Sequence, residues 1–374
     1  MAVGVNRKIS AASARAHTRR SNQNTAFRLP PGIFKAISAI LLVGLAAWAY
    51  QGLQPPAPKI CGAPDGPSIT APRIQLKDGR YLAYKELGVP KDEAKYKVVF
   101  VHALDSCRHD ASLFLPEKTA EELGIYLVSF DRAGYGESTP NLKRTLNSTA
   151  LDVEELADQL DLGSKFHVMG FSIGGQVIWT CLKYIPHRLA GATLIAPAIN
   201  YWWPGFSRNL SEVAYRQLLV QDQYALRVAH YFSWLTYWWN TQKLWPSFGA
   251  IVRNPDVFSA ADKELFPMLA KRRKSYLEIV RQQGEFHSLH SDLNIGFGKW
   301  EFDPLDLENP FRNNEGSVHI WQGDGDLLVP VSLQRYIAGK LPWINYHELN
   351  GPGHLLYSDG IPDAILKAAF PQEK

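Results

Sequence analysis

Short apolar runs alternate with helix-length stretches along most of the chain. Residues 73–88 alternate polar and apolar side chains around Asp78-Gly79, which predicts a β-hairpin. Further apolar runs of strand length lie at residues 96–104, 125–131, 166–170, 192–198, 317–324 and 345–350. Because helix-length stretches separate most of them, the pattern predicts an α/β fold with a mostly parallel sheet flanked by helices.

Residues 199–312 break this alternation and predict a helical cap inserted between two parts of the core, residues 73–198 and 313–374. The segment holds seven of the eleven tryptophans. Trp234 and Trp238 fall in an aromatic stretch with helical spacing, which predicts a helix that closes an apolar binding pocket. Packing inside the core, or contact with a membrane surface, would explain the same aromatic residues.

An uncharged apolar run at residues 36–53 follows a basic leader, residues 1–35. At a rise of about 1.5 Å per residue, a helix of this length nearly spans a hydrocarbon core of roughly 30 Å. The basic leader then predicts a single-pass anchor, with the large domain luminal or extracellular. A signal peptide cleaved near residues 47–49 and an organelle transit peptide are the alternatives. Residues 54–72 contain six prolines and predict a stiff linker.

The distribution of charge argues against a nucleic-acid partner. Residues 1–64 carry eight basic and no acidic side chains, so residues 65–374 hold 32 basic and 36 acidic ones, a sum of −4. A domain of that charge lacks the basic surface that nucleic acid requires. The basic residues 271–274 are predicted to form a solvated helix face. Three widely spaced cysteines are predicted to be buried or free thiols without a role: Cys61, Cys107 and Cys181.

The candidate chemistry begins at Ser172, in the sequence Gly-Phe-Ser-Ile-Gly of residues 170–174. The serine lies between a predicted strand and a predicted helix, where a sharp turn flanked by glycines would expose its hydroxyl. The start of the helix would direct backbone N–H groups toward an oxyanion. A small-residue packing turn is the alternative for so short a motif.

A nucleophilic serine needs a histidine to accept its proton and a carboxylate to orient that histidine. In a fold of this topology, the acid and then the histidine follow late strands. Residues 323–330, with the sequence "GDGDLLVP", supply an acid after one strand, and His354 follows the last strand at a glycine-rich turn. The other histidines are predicted to be ordinary core or surface residues.

Together these sequences resemble the α/β-hydrolase superfamily from about residue 73 to the end. The resemblance rests on the serine motif and on three further sequences: Asp-x-x-Gly-x-Gly-x-Ser at residues 131–138, Gly-x-x-Asp-x-x-x-Pro at residues 323–330, and Gly353-His354. The chain is similar to membrane-anchored plant members of the superfamily, with the insertion in the place of their cap.

The resemblance implies a catalytic triad of Ser172, Asp326 and His354. Asp324 is the alternative acid, and its other possible role is to cap the turn. His354 and Asp359 also match a His-x4-Asp sequence that some lipid acyltransferases of the superfamily carry, but a role of Asp359 in starting the next helix is the favoured explanation.

The resemblance also implies an oxyanion hole formed by the backbone amides of Leu104 and Ile173. The family's usual His-Gly-x sequence is His102-Ala103-Leu104 here. Alanine is tolerated in place of the glycine unless the position needs a positive φ.

The expected function is that of a serine hydrolase, a carboxylesterase or lipase-like enzyme acting on apolar acyl esters. No metal ion or organic cofactor is expected, and the expected partners are a small apolar ester or lipid and a membrane. The alternative is a membrane-tethered ligand-binding or receptor protein on the same fold, which the change at Ala103 supports. The sequences at Asn147 and Asn209 are N-glycosylation acceptors if the domain is luminal.

Overall fold

The computed structural model describes Met1, residues 31–311 and residues 315–371, so most of the predicted basic leader lies outside the described residues. The chain divides after Leu53 into two compact units. The first contains helix α1, Pro31–Leu53, which begins five residues before the predicted span. Within the described residues it is the one helix long and apolar enough to cross a membrane. An N-terminal signal sequence would have the same length and composition.

The second unit is built on one eight-stranded sheet. Its strands are β1 (Arg73–Gln75), β2 (Tyr81–Gly88), β3 (Tyr96–Val101), β4 (Ile125–Phe130), β5 (Phe166–Phe171), β6 (Leu189–Ile195), β7 (Val318–Gly323) and β8 (Ile344–Leu349). Their spatial order is β1-β2-β4-β3-β5-β6-β7-β8. β2 pairs antiparallel with β1 and with β4, and all other neighbours are parallel. The predicted hairpin and mostly parallel sheet are confirmed.

The second unit also contains helices. After α1 they are α2 (Glu117–Leu123), α3 (Leu146–Gln159), α4 (Ile173–Tyr184), α5 (Arg208–Tyr215), α6 (Val220–Tyr231), α7 (Thr236–Thr241), α8 (Ala260–Glu264), α9 (Phe266–Arg273), α10 (Ser291–Phe297), α11 (Val331–Lys340) and α12 (Ile361–Ala369). Val99 and Val101 join one buried apolar cluster with α3, α4 and α11, whereas Val98 and Phe100 join a second with α2 and α12. The alternation of side chains along β3 thus separates the two layers of the core.

The carboxyl ends of the parallel strands bring the candidate residues to one edge of the sheet. β5 lies between β3 and β6 and ends at Phe171, directly before Ser172. β7 ends at Gly323 and β8 at Leu349. Because these strands run in the same direction, the loops that follow them meet at that edge, where α/β sheets bind ligands.

Between β6 and β7, residues 199–311 contain α5 to α10 and, as far as the chain is described, no strand. The helix predicted through the aromatic stretch is interrupted, since α6 ends at Tyr231 and α7 begins at Thr236. Asn294 binds both sides of the interruption: its Nδ2 donates to the Ser233 carbonyl (3.2 Å), and its Oδ1 accepts from Thr236 Oγ1 (2.6 Å). Tertiary contacts here override the local helical spacing.

The second half of the proline-rich linker binds to the domain. The buried Cys61 donates its backbone N–H to Gln283 Oε1 (3.0 Å). Glu137 accepts hydrogen bonds from the N–H and the hydroxyl of Thr70, at 2.7 and 2.6 Å. The linker predicted over residues 54–72 is therefore held by polar groups of the fold from Lys59 onward.

Candidate active site

Ser172 lies on a strained turn between β5 and α4. Its φ of 55° and ψ of −117° fall where side chains other than glycine are rare. A Cβ at Gly170 would lie 2.4 Å from the carbonyl oxygen of Gly174, and a Cβ at Gly174 would lie 2.1 Å from that of Val101. The turn therefore requires glycine on both sides of the serine. Strain of this kind costs about 1–3 kcal/mol and is typical of functional sites.

His354 is hydrogen-bonded to Asp326. Its Nδ1 lies 2.7 Å from Asp326 Oδ2, and the two residues are only 4% and 6% exposed. Asp326 also accepts from two backbone N–H groups of the following turn, both at 2.9 Å. These bonds hold the carboxylate, which in turn orients the histidine ring. Asp324, the alternative acid, instead accepts from the backbone N–H of Gly351, in the loop after β8 (2.8 Å).

Ser172 and His354 line one cavity of about 400 Å³ at this edge of the sheet. That volume is typical of small-molecule sites. Among the described residues no hydrogen bond joins Ser172 Oγ to His354, so the two side chains share the cavity without a direct contact of that kind. Nucleophile and base are often loosely placed before substrate binds and tighten afterwards.

The predicted oxyanion donors, Leu104 and Ile173, line the same cavity. Ala103 does not have a positive φ. The left-handed conformation in this loop is instead at Asp105, with φ 51°. Alanine therefore fits at position 103 without backbone strain. His102 is fully buried, and its Nε2 accepts a backbone N–H of the loop after β4 (3.0 Å), so it braces this loop.

The tryptophans predicted to form the pocket wall lie elsewhere, and that prediction is wrong. Trp234 is 60% exposed, and neither Trp234 nor Trp238 lines the cavity, because the helix break at Phe232 removes the spacing on which the prediction rested. The apolar wall from the insertion includes Phe248, Phe258, Phe266, Leu269 and Phe297. These residues come from different loops and helices, so sequence periodicity could not single them out.

One side of the cavity is charged, which the sequence did not indicate. Arg273 lines it, and its guanidinium lies 2.5 Å from the carbonyl oxygen of Asp105 and 3.4 Å from the Asp110 carboxylate. Arg253 pairs with the Asp105 carboxylate at 2.7 Å. The prediction of a solvated face at residues 271–274 is thus wrong for Arg273, because this side chain binds acidic residues that follow β3 at the cavity wall. Its three basic neighbours are exposed.

The cysteines are buried free thiols, as predicted. Burial raises the pKa of all three thiols, which disfavours thiolate chemistry at neutral pH. The described residues contain no group of three or more histidine, cysteine or acidic side chains that could hold a metal ion.

The pH dependence of the site is set by His354. Burial alone would lower the pKa of this histidine, but the Asp326 carboxylate outweighs burial and raises the pKa above 6.5. A general base must be neutral, so we expect any reaction that uses His354 as its base to slow as the pH is lowered through a value above 6.5. A pH series of initial rates measures this, and an acid limb centred at or below 6.5 would contradict it.

The same raised pKa has a consequence for stability. The folded state binds the His354 proton more tightly than the unfolded chain does. His354 therefore stabilises the folded state fully at pH values below the pKa of this histidine in the unfolded chain. The stabilisation is lost as the pH rises through its pKa in the folded state.

The chain is similar to known proteins in sequence. The sequence model of a family described as alpha/beta hydrolase fold matches residues 98–361. A curated protein of Arabidopsis thaliana, named "Probable lysophospholipase BODYGUARD 2", is 23% identical over 280 residues, which are 71% of this chain and 56% of that protein. The chain spans between 35% and 56% of the length of the curated relatives it matches.

Solved structures share the fold. A thermophilic esterase from Thermogutta terrifontis superposes with a TM-score of 0.53 at 19% identity, covering 80% of this chain and 96% of the esterase. An enol-lactonase from Burkholderia xenovorans superposes with a TM-score of 0.54, also at 19% identity, covering 79% of this chain and 97% of the lactonase. At such identities the likeness establishes the architecture alone.

Proposed function

The chain belongs to the α/β-hydrolase fold family, and we propose that it is a serine hydrolase that cleaves carboxylic esters of apolar acyl groups. One observation carries the proposal: Ser172 on its strained turn and His354 bound to Asp326 line the same largely apolar cavity. A turn that served packing alone would have no need of a buried histidine and carboxylate beside it. The name of the curated Arabidopsis relative, a probable lysophospholipase, supports hydrolysis.

In the proposed reaction, Ser172 Oγ attacks the acyl carbonyl while His354 Nε2 accepts its proton. Asp326, bound at Nδ1, orients the ring and stabilises the imidazolium. The N–H groups of Leu104 and Ile173 bind the oxyanion of the tetrahedral intermediate. Its collapse expels the alcohol, which takes the proton from His354 and leaves an acyl-enzyme. A water molecule then gives its proton to the same histidine, attacks the acyl-enzyme and releases the acid, and the proton returns to the serine.

The cavity walls favour a substrate with an apolar acyl part. Phenylalanines of the insertion form much of the wall, while Asp105 and Arg273 make one side polar. In this proposal residues 199–312 act as a cap, which excludes water and covers the acyl chain. An amphiphilic ester, with a polar group on the charged side, fits both surfaces.

A fluorophosphonate probe and a series of acyl esters of increasing length test the proposal. We expect the full-length protein in detergent to be labelled and to hydrolyse the series. Each added CH₂ that enters the cavity should raise kcat/KM by up to about fourfold, the equivalent of about 0.8 kcal/mol. A folded protein that neither reacts with the probe nor hydrolyses any ester would reject the proposal and favour the ligand-binding alternative.

For location, we propose that α1 anchors the protein in a membrane with the catalytic domain luminal or extracellular. Both acceptor asparagines, Asn147 and Asn209, are exposed. We expect an endoglycosidase to lower the apparent mass of the protein taken from its native membrane, and Asn147→Gln combined with Asn209→Gln to abolish that change. Protease added to the cytosolic side of sealed vesicles should leave the catalytic domain intact. Digestion of the domain under these conditions would overturn the proposed orientation.

A further inference from the structure

We propose that Asp262 in the insertion is a positioning residue for the catalytic base, an inference that rests on the proposed hydrolase function. Asp262 lies in α8 and is fully buried. Its carboxylate accepts the backbone N–H groups of His354 (3.1 Å, to Oδ2) and Leu355 (2.7 Å, to Oδ1). Those residues lie 92 and 93 positions further along the chain. The insertion is thus hydrogen-bonded directly to the loop that carries the base.

Ser259 holds this carboxylate from the side of the insertion. It is the N-cap of α8, and its backbone N–H and hydroxyl donate to Asp262 Oδ2 at 3.0 and 2.9 Å. Its Oγ in turn lies 3.2 Å from the N–H of Asp262, from which it accepts. Four donors therefore converge on one carboxylate, which leaves it a single orientation.

Gly353 gives an independent sign of this contact. A Cβ at this position would lie 2.1 Å from Asp262 Oδ2 and 2.2 Å from Ser259 Oγ. The backbone of Gly353 is not in the left-handed region, so its conformation alone would accept other residues. The close approach of Asp262 is therefore what requires glycine directly before the base.

The contact acts on His354 in two ways. It fixes the backbone that carries the imidazole, and it places a second carboxylate near the ring. Among the described residues, two charged groups influence the ring: Asp326, from the loop after β7, and Asp262. From β5, the uncharged ring of Phe171 packs beside it, with 5.2 Å between the two ring centroids. Both carboxylates favour the protonated histidine, against the opposing effect of burial on its pKa.

The contact also couples the cavity to the base. Phe258 and Phe266, which flank α8 along the chain, line the cavity. A displacement of this part of the insertion would open the apolar wall and release the loop of His354 together. The base is therefore positioned for proton transfer only while α8 is seated.

Asp262→Asn, which keeps the shape but removes the charge and one acceptor, tests the inference in the full-length protein. Asp303→Asn is the matched control, because Asp303 is also buried in the insertion and accepts two backbone N–H groups, but these belong to Gly205 and Leu305 of the insertion and not to the loop of His354. We expect Asp262→Asn to lower kcat about tenfold to a hundredfold. The acid limb of the pH–rate profile of this variant should also move down by roughly 0.5 pH unit, because the variant lacks an anion that stabilises the imidazolium. Asp303→Asn should lower the Tm with kcat and the acid limb unchanged.

The outcomes separate this inference from the hydrolase proposal. If the wild type neither reacts with a fluorophosphonate nor hydrolyses esters, the hydrolase proposal falls. If the wild type does both and Asp262→Asn behaves like Asp303→Asn, only the role of Asp262 falls. Should Asp262→Asn fail to fold, Gly353→Ala decides: a lower kcat in the folded variant supports the contact, and an unchanged kcat overturns it.

Discussion

Replacing Ser172 by alanine is expected to lower kcat/KM for ester hydrolysis by about 10⁴-fold or more and to abolish labelling by a fluorophosphonate. The proposed reaction uses no nucleophile other than Ser172, so the rate that remains would come from substrate binding and the oxyanion donors alone. Initial rates on an acyl ester, together with gel fluorescence after labelling, measure both effects. A variant that keeps more than about one hundredth of the wild-type rate would show that the chemistry lies elsewhere.

Two further variants show whether the loss is chemical. Ser112→Ala removes an exposed hydroxyl from the loop after β3 and should leave the rate unchanged. Ser172→Gly should be as inactive as Ser172→Ala but more stable by roughly 1 kcal/mol, because glycine adopts φ 55° without strain. Equal stability of the two variants at position 172 would argue against stored strain at the turn.

Replacing Asp292 by asparagine is expected to destabilise the domain by about 3–5 kcal/mol, the largest effect on stability that the structure indicates. Asp292, in α10 and 1% exposed, binds Arg132 through two hydrogen bonds of 2.6 Å, Arg144 at 2.6 Å and the hydroxyl of Tyr135 at 2.6 Å. Its loss leaves two buried guanidinium groups without the carboxylate that neutralises them. The insertion would also lose one of its links to the loop after β4, which Gln282 and Gln283 bind as well.

The midpoint of denaturant unfolding measures this effect, with Glu122→Gln as the control. Glu122 forms an exposed ion pair with Lys118 at 3.7 Å, and its loss should cost less than about 1 kcal/mol. A change below about 1 kcal/mol for Asp292→Asn would mean that water or other groups neutralise the two arginines.

Stability should also depend on pH through Asp292. Burial alone would raise the pKa of this carboxyl, but the charges of Arg132 and Arg144 outweigh it and hold the pKa at about 2. Because the pKa is lower in the folded state, the ionised carboxylate stabilises the fold fully above 3.8, the pKa in the unfolded chain. This stabilisation is lost as the pH falls through about 2.

The local features of the fold could be predicted from the sequence. Strands such as β3 are apolar runs of a length that suits a buried parallel strand, and α4 begins directly after Ser172, which the sequence placed between a strand and a helix. The glycines on either side of Ser172 indicated a sharp turn, since only glycine fits there. The predicted acid and base, Asp326 and His354, are hydrogen-bonded to each other in the structure. Each of these features depends on neighbours within a few residues or on the direction of parallel strands.

The tertiary structure decided what surrounds the serine. The aromatic helix is interrupted where Asn294 binds it. Phe258 and Phe266, and not Trp234, line the cavity, and Arg273 turns inward from a basic sequence. Periodicity and turn signals record the conformation of adjacent residues. The contacts that close this site instead join residues about 60 to 170 positions apart, and the packing of whole helices against the sheet selects them.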